Sequence, residues 1–97
     1  MSRRRYLVAY DMREPQRLRK IHGVMKAFGY PLQYSVFICD LDAVERFAML
    51  GRLSEGMDHR QDSIAIVDLG DPKVRGVECI QALGRREPLP EDKIRVV

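Results

Sequence analysis

The sequence predicts a single α+β domain, and three observations support this. Strand-like and helix-like segments follow each other in the order strand, helix, strand or hairpin, helix, strand. The helical segments are amphipathic, whereas the strand-like segments are apolar on both faces, which requires cover on both sides of a sheet. The length of 97 residues fits one domain with one core. This combination indicates a ferredoxin-like α/β sandwich.

The first strand and the first helix have the clearest patterns. Residues 5–11 form an apolar run that ends at Asp11, and Pro15 suits the first position of a helix. A helix is predicted over residues 15–28, because apolar side chains recur there at three- and four-residue steps. These side chains are Leu18, Ile21, Met25 and Phe28. Gly29 is expected to end this helix in a left-handed conformation.

The middle of the chain predicts a second strand region and a second helix. Residues 32–39 are β-rich and apolar on both faces, and the pattern leaves open whether residues 34–35 form a bend between two short strands. Asp42 followed by Glu45 predicts a capping box, and Gly56 is expected to end the helix that follows. The predicted buried stripe of this helix consists of Ala43, Phe47, Leu50, Leu53 and Met57.

The last third of the chain predicts strands separated by turns. Residues 63–69 read as a strand that is apolar on both faces, and residues 68–72 as a turn. Residues 77–83 fit a strand or a short helix, and the pattern does not decide between them. Residues 94–97 predict a short strand after a proline-rich loop. Residues 1–97 are therefore expected to form one ferredoxin-like domain with an extra C-terminal strand.

The extra C-terminal strand predicts a homodimer. A terminal strand has no obvious partner within so small a sheet, and an exposed sheet edge invites pairing with another chain. Residues 88–97 are therefore expected to pack on the partner subunit. Burial against a second copy would also explain the strands that are apolar on both faces.

Composition and charge limit the classes of function. Seventeen basic residues give a net charge of +3, and they cluster at the N-terminus, around the first helix and at residues 85–86, which favours a polyanionic partner. No run of eighteen apolar residues and no apolar leader is present, so a cytoplasmic protein without membrane contact is expected. Cys39 and Cys79 lack metal-ligand spacing and suit a reducing cytosol. His22 and His59 are interpreted as ordinary packing or surface residues.

Asp11 is the strongest candidate for a functional residue. It follows a buried strand and precedes a helix, at the carboxyl edge of a sheet, where ligands tend to bind. An aspartate at this place commonly caps the following helix. Because Pro15 favours the first helical position, the cap is expected to be Glu14. That arrangement leaves the Asp11 carboxylate free for a turn or for chemistry.

Several short segments, taken together, resemble one known family. They are Tyr10-Asp11, Arg17-Leu18-Arg19-Lys20, Gln33-Tyr34-Ser35-Val36-Phe37 and the ending Pro90-Glu91-Asp92-Lys93-Ile94. In these segments and in the order of its elements, the chain resembles the CRISPR-associated protein two family, here called the Cas-two family. The aspartate-ended strand joined to the Gln-Tyr-Ser-Val-Phe segment at this distance is the most specific part of the resemblance.

The resemblance implies a ferredoxin-like homodimer that acts in CRISPR adaptation, the acquisition of new spacers. Members of the family bridge two dimers of the integrase Cas-one and help to hold a new DNA fragment. Many members are described as divalent-metal-dependent endonucleases on RNA or DNA, so endoribonuclease activity is implied for this chain. The expected cofactor is Mg²⁺ or Mn²⁺.

The resemblance also assigns roles to residues. Asp11 corresponds to the family's catalytic, metal-binding aspartate, with one Asp11 expected from each subunit of a shared site. Arg17 and Arg19 match basic positions of the first helix and, with Lys20, are expected to bind nucleic acid. Tyr10 is expected to support the site from beside Asp11. Ser35 and Phe37 match supporting positions of the second hairpin.

Three classes of function remain open at this point. The first is an adaptation subunit with metal-dependent endonuclease capacity on RNA, DNA or both. The second is the same subunit as a non-catalytic architectural adaptor that bridges integrase dimers. The third is a ferredoxin-like RNA-binding or regulatory module, which ranks last because the aromatic-rich motif of an RNA-recognition strand is missing. The sequence does not decide between RNA and DNA or assign a CRISPR subtype.

Overall fold

The chain folds into a strand, a helix, a hairpin, a second helix and a further strand, as expected. The structure, a computed structural model, describes residues 2–75, 79–84 and 95–96. The main elements are β1 (Arg4–Asp11), α1 (Pro15–Phe28), β2 (Tyr30–Gln33), β3 (Val36–Leu41), α2 (Ala43–Gly56) and β4 (Ser63–Gly70). They are followed by α3 (Pro72–Arg75), β5 (Gln81–Ala82) and β6 (Arg95–Val96). Within the described part of the chain, no helix is long and apolar enough to cross a membrane.

The four-stranded sheet has the order β2-β3-β1-β4, and every neighbouring pair is antiparallel. β1 lies between β3 and β4, although β3 follows it only after a helix and a hairpin strand. This order, together with the two helices in the connections, is that of the ferredoxin-like fold. The predicted α+β ferredoxin-like fold is therefore confirmed.

The main core lies between the sheet and the helices α1 and α2. Alternate residues of β1 point to this side, because successive side chains of a strand face opposite ways. The buried members of the core are Tyr6, Val8, Tyr10, Ile21, Val24, Met25, Phe37, Cys39, Leu41, Met49 and Leu53. This packing fixes β1 relative to α1, and it therefore also determines where the residues after Tyr10 lie.

The other side of the sheet, opposite α1 and α2, is called the second face here. It carries alternate apolar side chains of β1, β3 and the edge strand β4, including Leu7, Ala9, Val36, Ala65 and Val67. Leu7 and Ile38 pack on this side with Ile80 in a second apolar cluster. Ala65 is exposed and Val67 is 47% exposed. The prediction that β4 is apolar on both faces holds, but in the single chain only one of those faces is well covered.

Gly29 follows α1 for a reason other than the predicted one. Its backbone is extended, with φ −164° and ψ −161°, so the expectation of a left-handed stop is wrong. A Cβ atom at this position would collide with the Ile38 carbonyl oxygen and with Cys39 Sγ. Glycine is therefore required because the backbone passes so close to β3.

The second helix begins as predicted but buries a different stripe. The Asp42 carboxylate accepts a hydrogen bond from the Glu45 backbone N–H at 2.8 Å, and Glu45 accepts one from Asp42 at 2.9 Å, which confirms the capping box. The buried residues are Met49, Leu53 and Gly56, whereas Phe47 is 80% exposed. Of the predicted stripe, only Leu53 is fully buried.

The different stripe has a structural cause in the contact between the helices. A Cβ atom added at Gly56 would lie 3.0 Å from Ile21 Cδ1, so the glycine lets α2 approach α1 closely. That approach rotates Met49 and Leu53 toward the core, because residues three and four apart share a helix face. The apolar pattern of α2 permits two stripes, and the helix contact selects one.

The β2–β3 hairpin resolves the question that residues 34–35 left open. Tyr34 and Ser35 form a two-residue turn between the strands, and Ser35 has a left-handed backbone with φ 65°. A positive φ at the second central residue is a recurring feature of tight β-turns. The region is therefore a hairpin of two short strands.

The C-terminal part differs from expectation in its pairing. Arg95–Val96 pairs in parallel with Gln81–Ala82 of the same chain, so the expectation that the terminal strand has no partner in its own chain is wrong. Within residues 77–83, for which the sequence pattern fits a strand or a short helix, Gln81–Ala82 is a strand. The expected turn at residues 68–72 is shorter than predicted, because β4 extends to Gly70 and α3 begins at Pro72. Of residues 88–97, expected to pack on a partner, only 95–96 lie within the described residues.

The loops around the end of β1 are tied together by one buried carboxylate, that of Asp62. Its side chain is fully buried and accepts a hydrogen bond from Arg17 Nε at 2.7 Å and a second from the same guanidinium at 3.2 Å. It also accepts from the backbone N–H of Arg13 at 2.9 Å and from that of Asp58 at 2.8 Å. Three segments, namely the β1–α1 loop, the first turn of α1 and the α2–β4 loop, therefore share one anion.

This arrangement shifts the ionisation of Asp62. The hydrogen bond from Arg17 holds the pKa of the Asp62 carboxyl well below its ordinary value, the backbone N–H groups act in the same direction, and burial opposes them. The carboxylate therefore stays charged throughout the physiological pH range. Its stabilising effect is present above the unfolded-state pKa, near 4, and is lost as the pH falls toward the lower folded-state pKa.

Replacing Gly29 tests the close approach to β3. We expect Gly29→Ala to lower the free energy of unfolding by about 1–3 kcal/mol, because the new methyl group forces the backbone away from Ile38. The matched control is Gly51→Ala, since nothing lies within 4 Å of a Cβ at that helical position. It should raise stability by roughly 0.5–1 kcal/mol. Urea unfolding measures both, and equal stability of the two variants would contradict this reading.

Replacing Asp62 tests the buried anion. Asp62→Asn should lower the melting temperature, because an amide removes the charge opposite Arg17 and presents donors to backbone N–H groups that are themselves donors. Asp58→Asn is the control, since among the described residues that carboxylate accepts one hydrogen bond, from the Arg60 backbone N–H within its own turn. Thermal unfolding between pH 2 and 6 adds a second readout. The melting temperature of the native protein should fall more steeply below pH 4 than that of Asp62→Asn, and parallel curves would show that Asp62 does not carry this linkage.

Candidate functional site

Three chain segments meet at the carboxyl end of β1. Asp11 is the last residue of β1 and pairs with Ser63, the first residue of β4. On the other side, the Tyr10 backbone N–H donates to the Ser35 carbonyl at 3.0 Å, which brings the hairpin turn beside β1. The helix α1 begins at Pro15, four residues beyond Asp11. Sheet edge, hairpin turn and helix start therefore converge here.

Asp11 presents an exposed carboxylate at this junction. Its side chain is on the second face of the sheet, since it alternates with Tyr10, which belongs to the core. Among the described residues, no hydrogen bond or ion pair involves the Asp11 carboxylate. The helix cap is Glu14, which accepts from Gln16 at 3.0 Å and from Arg17 at 2.9 Å. The predicted cap is confirmed, and Asp11 is left available.

Tyr10 lies on the opposite face, inside the core. Its hydroxyl shares a 2.9 Å hydrogen bond with His22 Nδ1. Burial raises the pKa of the Tyr10 hydroxyl, and a hydrogen bond with the Ser35 side chain opposes this. Phe37 is fully buried, with its ring stacked 6.3 Å from that of Tyr10 and 5.4 Å from that of His22. Tyr10, Ser35 and Phe37 therefore support the site by packing and hydrogen bonding from beneath.

His22 belongs to this support, and the sequence pattern gives no sign of it. It was interpreted as an ordinary packing or surface residue, and no partner stands near it in the sequence. Its bond to Tyr10 arises only because α1 crosses β1 at this point. Tyr34, in the hairpin turn, is 78% exposed.

The predicted nucleic-acid-binding residues fall into two groups. Arg17 is only 25% exposed, and its guanidinium contacts Asp62, with Glu14 at 4.0 Å. Arg19 and Lys20 are exposed on the surface of α1, and no ion pair involves them within the described residues. Charge that is free to attract a phosphate is therefore carried by Arg19 and Lys20 more than by Arg17.

The basic cluster at the N-terminus is neutralised in the folded chain. Each of its three arginines pairs with a separate carboxylate, at 2.6, 2.9 and 2.8 Å. The pairs are Arg3–Glu45, Arg4–Asp68 and Arg5–Asp40. The modest net charge thus leaves exposed basic side chains along α1 and at Arg13 in the β1–α1 loop.

The described part of the chain contains no ready-made cluster of metal-binding side chains. Within residues 2–75, 79–84 and 95–96, no three His, Cys, Asp or Glu side chains lie close enough together to bind one. The nearby carboxylate of Asp62 is committed to Arg17 and to backbone N–H groups. Mg²⁺ prefers several oxygen ligands and binds weakly to one carboxylate. The donor set fits a divalent ion only if a second Asp11 is supplied from outside the chain.

Comparison with known proteins agrees with this fold. The profile of the family described as CRISPR associated protein Cas2 matches residues 4–77. A protein of Rhodospirillum rubrum named CRISPR-associated endoribonuclease Cas2 1 is 42% identical over 65 residues, which cover 67% of this chain and 64% of that protein. The match therefore spans just under two thirds of that relative.

Two solved structures share the fold over most of this chain. A hypothetical protein from Thermus thermophilus superposes with a TM-score of 0.76 and 33% identity, covering 93% of this chain and all of that one. Cas2 of Streptococcus pyogenes superposes with a TM-score of 0.65 and 30% identity, covering 73% of this chain and 93% of that one. With the family profile matched over most of its length, the chain belongs to the CRISPR-associated Cas2 family.

Proposed function

We propose that this protein is a CRISPR adaptation subunit that binds nucleic acid as a homodimer and has divalent-metal-dependent endonuclease capacity on RNA, DNA or both. The observation that supports this best is the Asp11 carboxylate, which is exposed at the end of β1, four residues before α1 and its exposed basic side chains. Relatives named endoribonucleases add support at the level of the family.

The homodimer is supported by the second face of the sheet. Val67 is 47% exposed and Ala65 is exposed, although both lie in the middle of β4. Leu7, Ala9 and Val36 are only partly covered on the same face. A second copy packed there would bury this apolar surface at about 25 cal/mol per Å². A two-fold axis near the carboxyl end of β1 would bring the two Asp11 side chains together.

Asp11 from each subunit would hold the expected Mg²⁺ or Mn²⁺. When bound, the ion supplies charge neutralisation at a phosphodiester and lowers the pKa of a water ligand. Arg19 and Lys20 hold the nucleic-acid backbone beside this place, since a cation near a phosphate displaces counterions. The Arg17–Asp62 pair keeps the β1–α1 loop fixed, so that the Asp11 backbone does not move when a polyanion binds. Tyr10 and Phe37 fix the same strand end from the core side.

The partners proposed from the family are dimers of the integrase Cas-one, together with RNA or DNA. A two-fold dimer presents the same surface twice, which suits a protein that bridges two identical partner dimers. This adaptor role needs no chemistry at Asp11. The alternative function, a non-catalytic architectural adaptor, is favoured by one observation, namely that no group of three metal-binding side chains occurs within the described residues.

The variant Asp11→Asn separates the two functions. It should keep the fold and bind duplex DNA nearly as well as the native protein, because the phosphates contact Arg19 and Lys20. Cleavage of labelled single-stranded RNA or duplex DNA in Mg²⁺ or Mn²⁺ should be abolished. The rise in melting temperature that the ion causes in the native protein should disappear as well, since the ion stabilises only a state that binds it.

The controls for this experiment use the same protein. Asp71→Asn removes an exposed carboxylate far along the chain and should change neither cleavage nor the melting shift. A chelator should abolish cleavage by the native protein. Full cleavage by Asp11→Asn would place the activity elsewhere or in a contaminant. Absence of cleavage by the native protein, with the duplex still bound, would favour the architectural adaptor.

A further inference from the structure

A small cavity lies between the first half of α1 and the turn of the β2–β3 hairpin. It has a volume of about 180 Å³ and is lined by Leu18, Arg19, His22 and Tyr34. These four residues define what is called the hairpin pocket here. Pockets for drug-sized ligands occupy ~300–1,000 Å³, so the hairpin pocket fits a smaller, single ring system.

The outer wall of the hairpin pocket is an aromatic ring that the fold leaves in solvent. Tyr34 is 78% exposed, although a tyrosine ring packed in a core would remove a large apolar surface from water. The turn that carries it is held by the left-handed Ser35 backbone and by the hydrogen bond from the Tyr10 N–H to the Ser35 carbonyl. A non-glycine residue keeps such a backbone only where its surroundings enforce it. The position of Tyr34 beside α1 is thus fixed by the backbone of the turn.

The inner wall is a polar ring with a fixed orientation. His22 Nδ1 is held by the Tyr10 hydroxyl at 2.9 Å, and the Phe37 ring meets the imidazole edge-on at 72°. A neutral imidazole with one nitrogen engaged offers the other as a donor or an acceptor. Together with the half-buried Leu18, His22 therefore combines an apolar surface with one hydrogen-bonding group.

Charge at the hairpin pocket favours an anionic ligand. Arg19 lines the cavity, Lys20 is the next exposed residue of α1, and Arg13 is exposed near its start. The hydrogen bond from Tyr10, the residue before Asp11, to the Ser35 carbonyl places the turn of the hairpin pocket beside the end of β1, whereas the Asp11 side chain itself lies on the second face. A ligand with a flat ring and a nearby phosphate would match both the aromatic wall formed by Tyr34 and the positive charge of Arg19.

We propose that the hairpin pocket binds one unpaired nucleobase of a nucleic-acid strand, with the base stacked on Tyr34 and a neighbouring phosphate at Arg19. This inference rests on the proposed nucleic-acid function, which it extends to a defined subsite. A base within a duplex is stacked on both faces and cannot present either to Tyr34. Duplex DNA is then held through its phosphates alone, whereas a base that is unpaired gains the stacking contact.

The test uses the full protein in a chelator, so that cleavage does not interfere. The probes are an end-labelled oligothymidine with one central 2-aminopurine and the same strand annealed to its complement. Stacking of one base on an aromatic side chain is worth ~1–3 kcal/mol, so Tyr34→Ala should raise the Kd of the single strand about 5- to 150-fold. The Kd of the duplex should not change, and the quenching of 2-aminopurine on binding should be lost.

Two further variants keep the test specific. Tyr34→Phe retains the ring and should bind like the native protein. Tyr30→Ala removes the other partly exposed hairpin tyrosine, which is 44% exposed at the far end of β2, and should leave both Kd values unchanged. Because Tyr34 is at the surface, its replacement should leave the melting temperature unchanged.

The outcomes distinguish this inference from the proposed function. If the native protein and Tyr34→Ala bind the single strand equally, the pocket inference is wrong and the proposed function stands. If Tyr34→Ala weakens strand and duplex by the same factor, Tyr34 acts on the backbone and the pocket inference is likewise wrong. If the native protein binds neither probe, the proposed function fails and the pocket inference fails with it.

Discussion

The buried carboxylate of Asp62 is the interaction on which the functional end of this molecule depends. It binds the Arg17 guanidinium at 2.7 Å and two backbone N–H groups from separate loops. A fully buried carboxylate that lost these donors would be strongly destabilised, because nothing else there could solvate its charge. The β1–α1 loop, the start of α1 and the α2–β4 loop are therefore held together, and the position of Asp11 follows from theirs.

The same pair determines which charges remain for function. Arg17 is neutralised by Asp62, and the three N-terminal arginines are each paired with a carboxylate, so Arg19 and Lys20 carry much of the accessible basic surface of α1. The Asp11 carboxylate, at the end of β1, takes part in none of these ion pairs. The basic side chains of α1 attract a polyanion, whereas one free carboxylate holds a divalent ion poorly. The metal chemistry that we propose therefore requires a second chain.

Local patterns in the sequence predicted most of the fold, because capping and periodicity act between near neighbours. The α1 cap at Glu14, the capping box at Asp42 and the order of strands and helices all follow from such patterns. The pattern failed where a contact between distant elements decides. The buried stripe of α2 is selected by the approach of Gly56 to Ile21, and Gly29 is required by β3.

The candidate site, like the fold, could be predicted from the sequence only where local patterns determine it. Asp11 could be recognised from the strand end that it occupies and from its resemblance to the family. Asp62 and His22 could not, since each gains its role only when a loop or helix crosses the end of β1. No spacing in the sequence records such a crossing.

The central claim is that the proposed metal site is shared by two chains. The most direct test is the stoichiometry of Mn²⁺ binding, measured by calorimetry or equilibrium dialysis. The account predicts one ion for every two chains and loss of that ion in Asp11→Asn. One ion for each chain, or unchanged binding in Asp11→Asn, would contradict it.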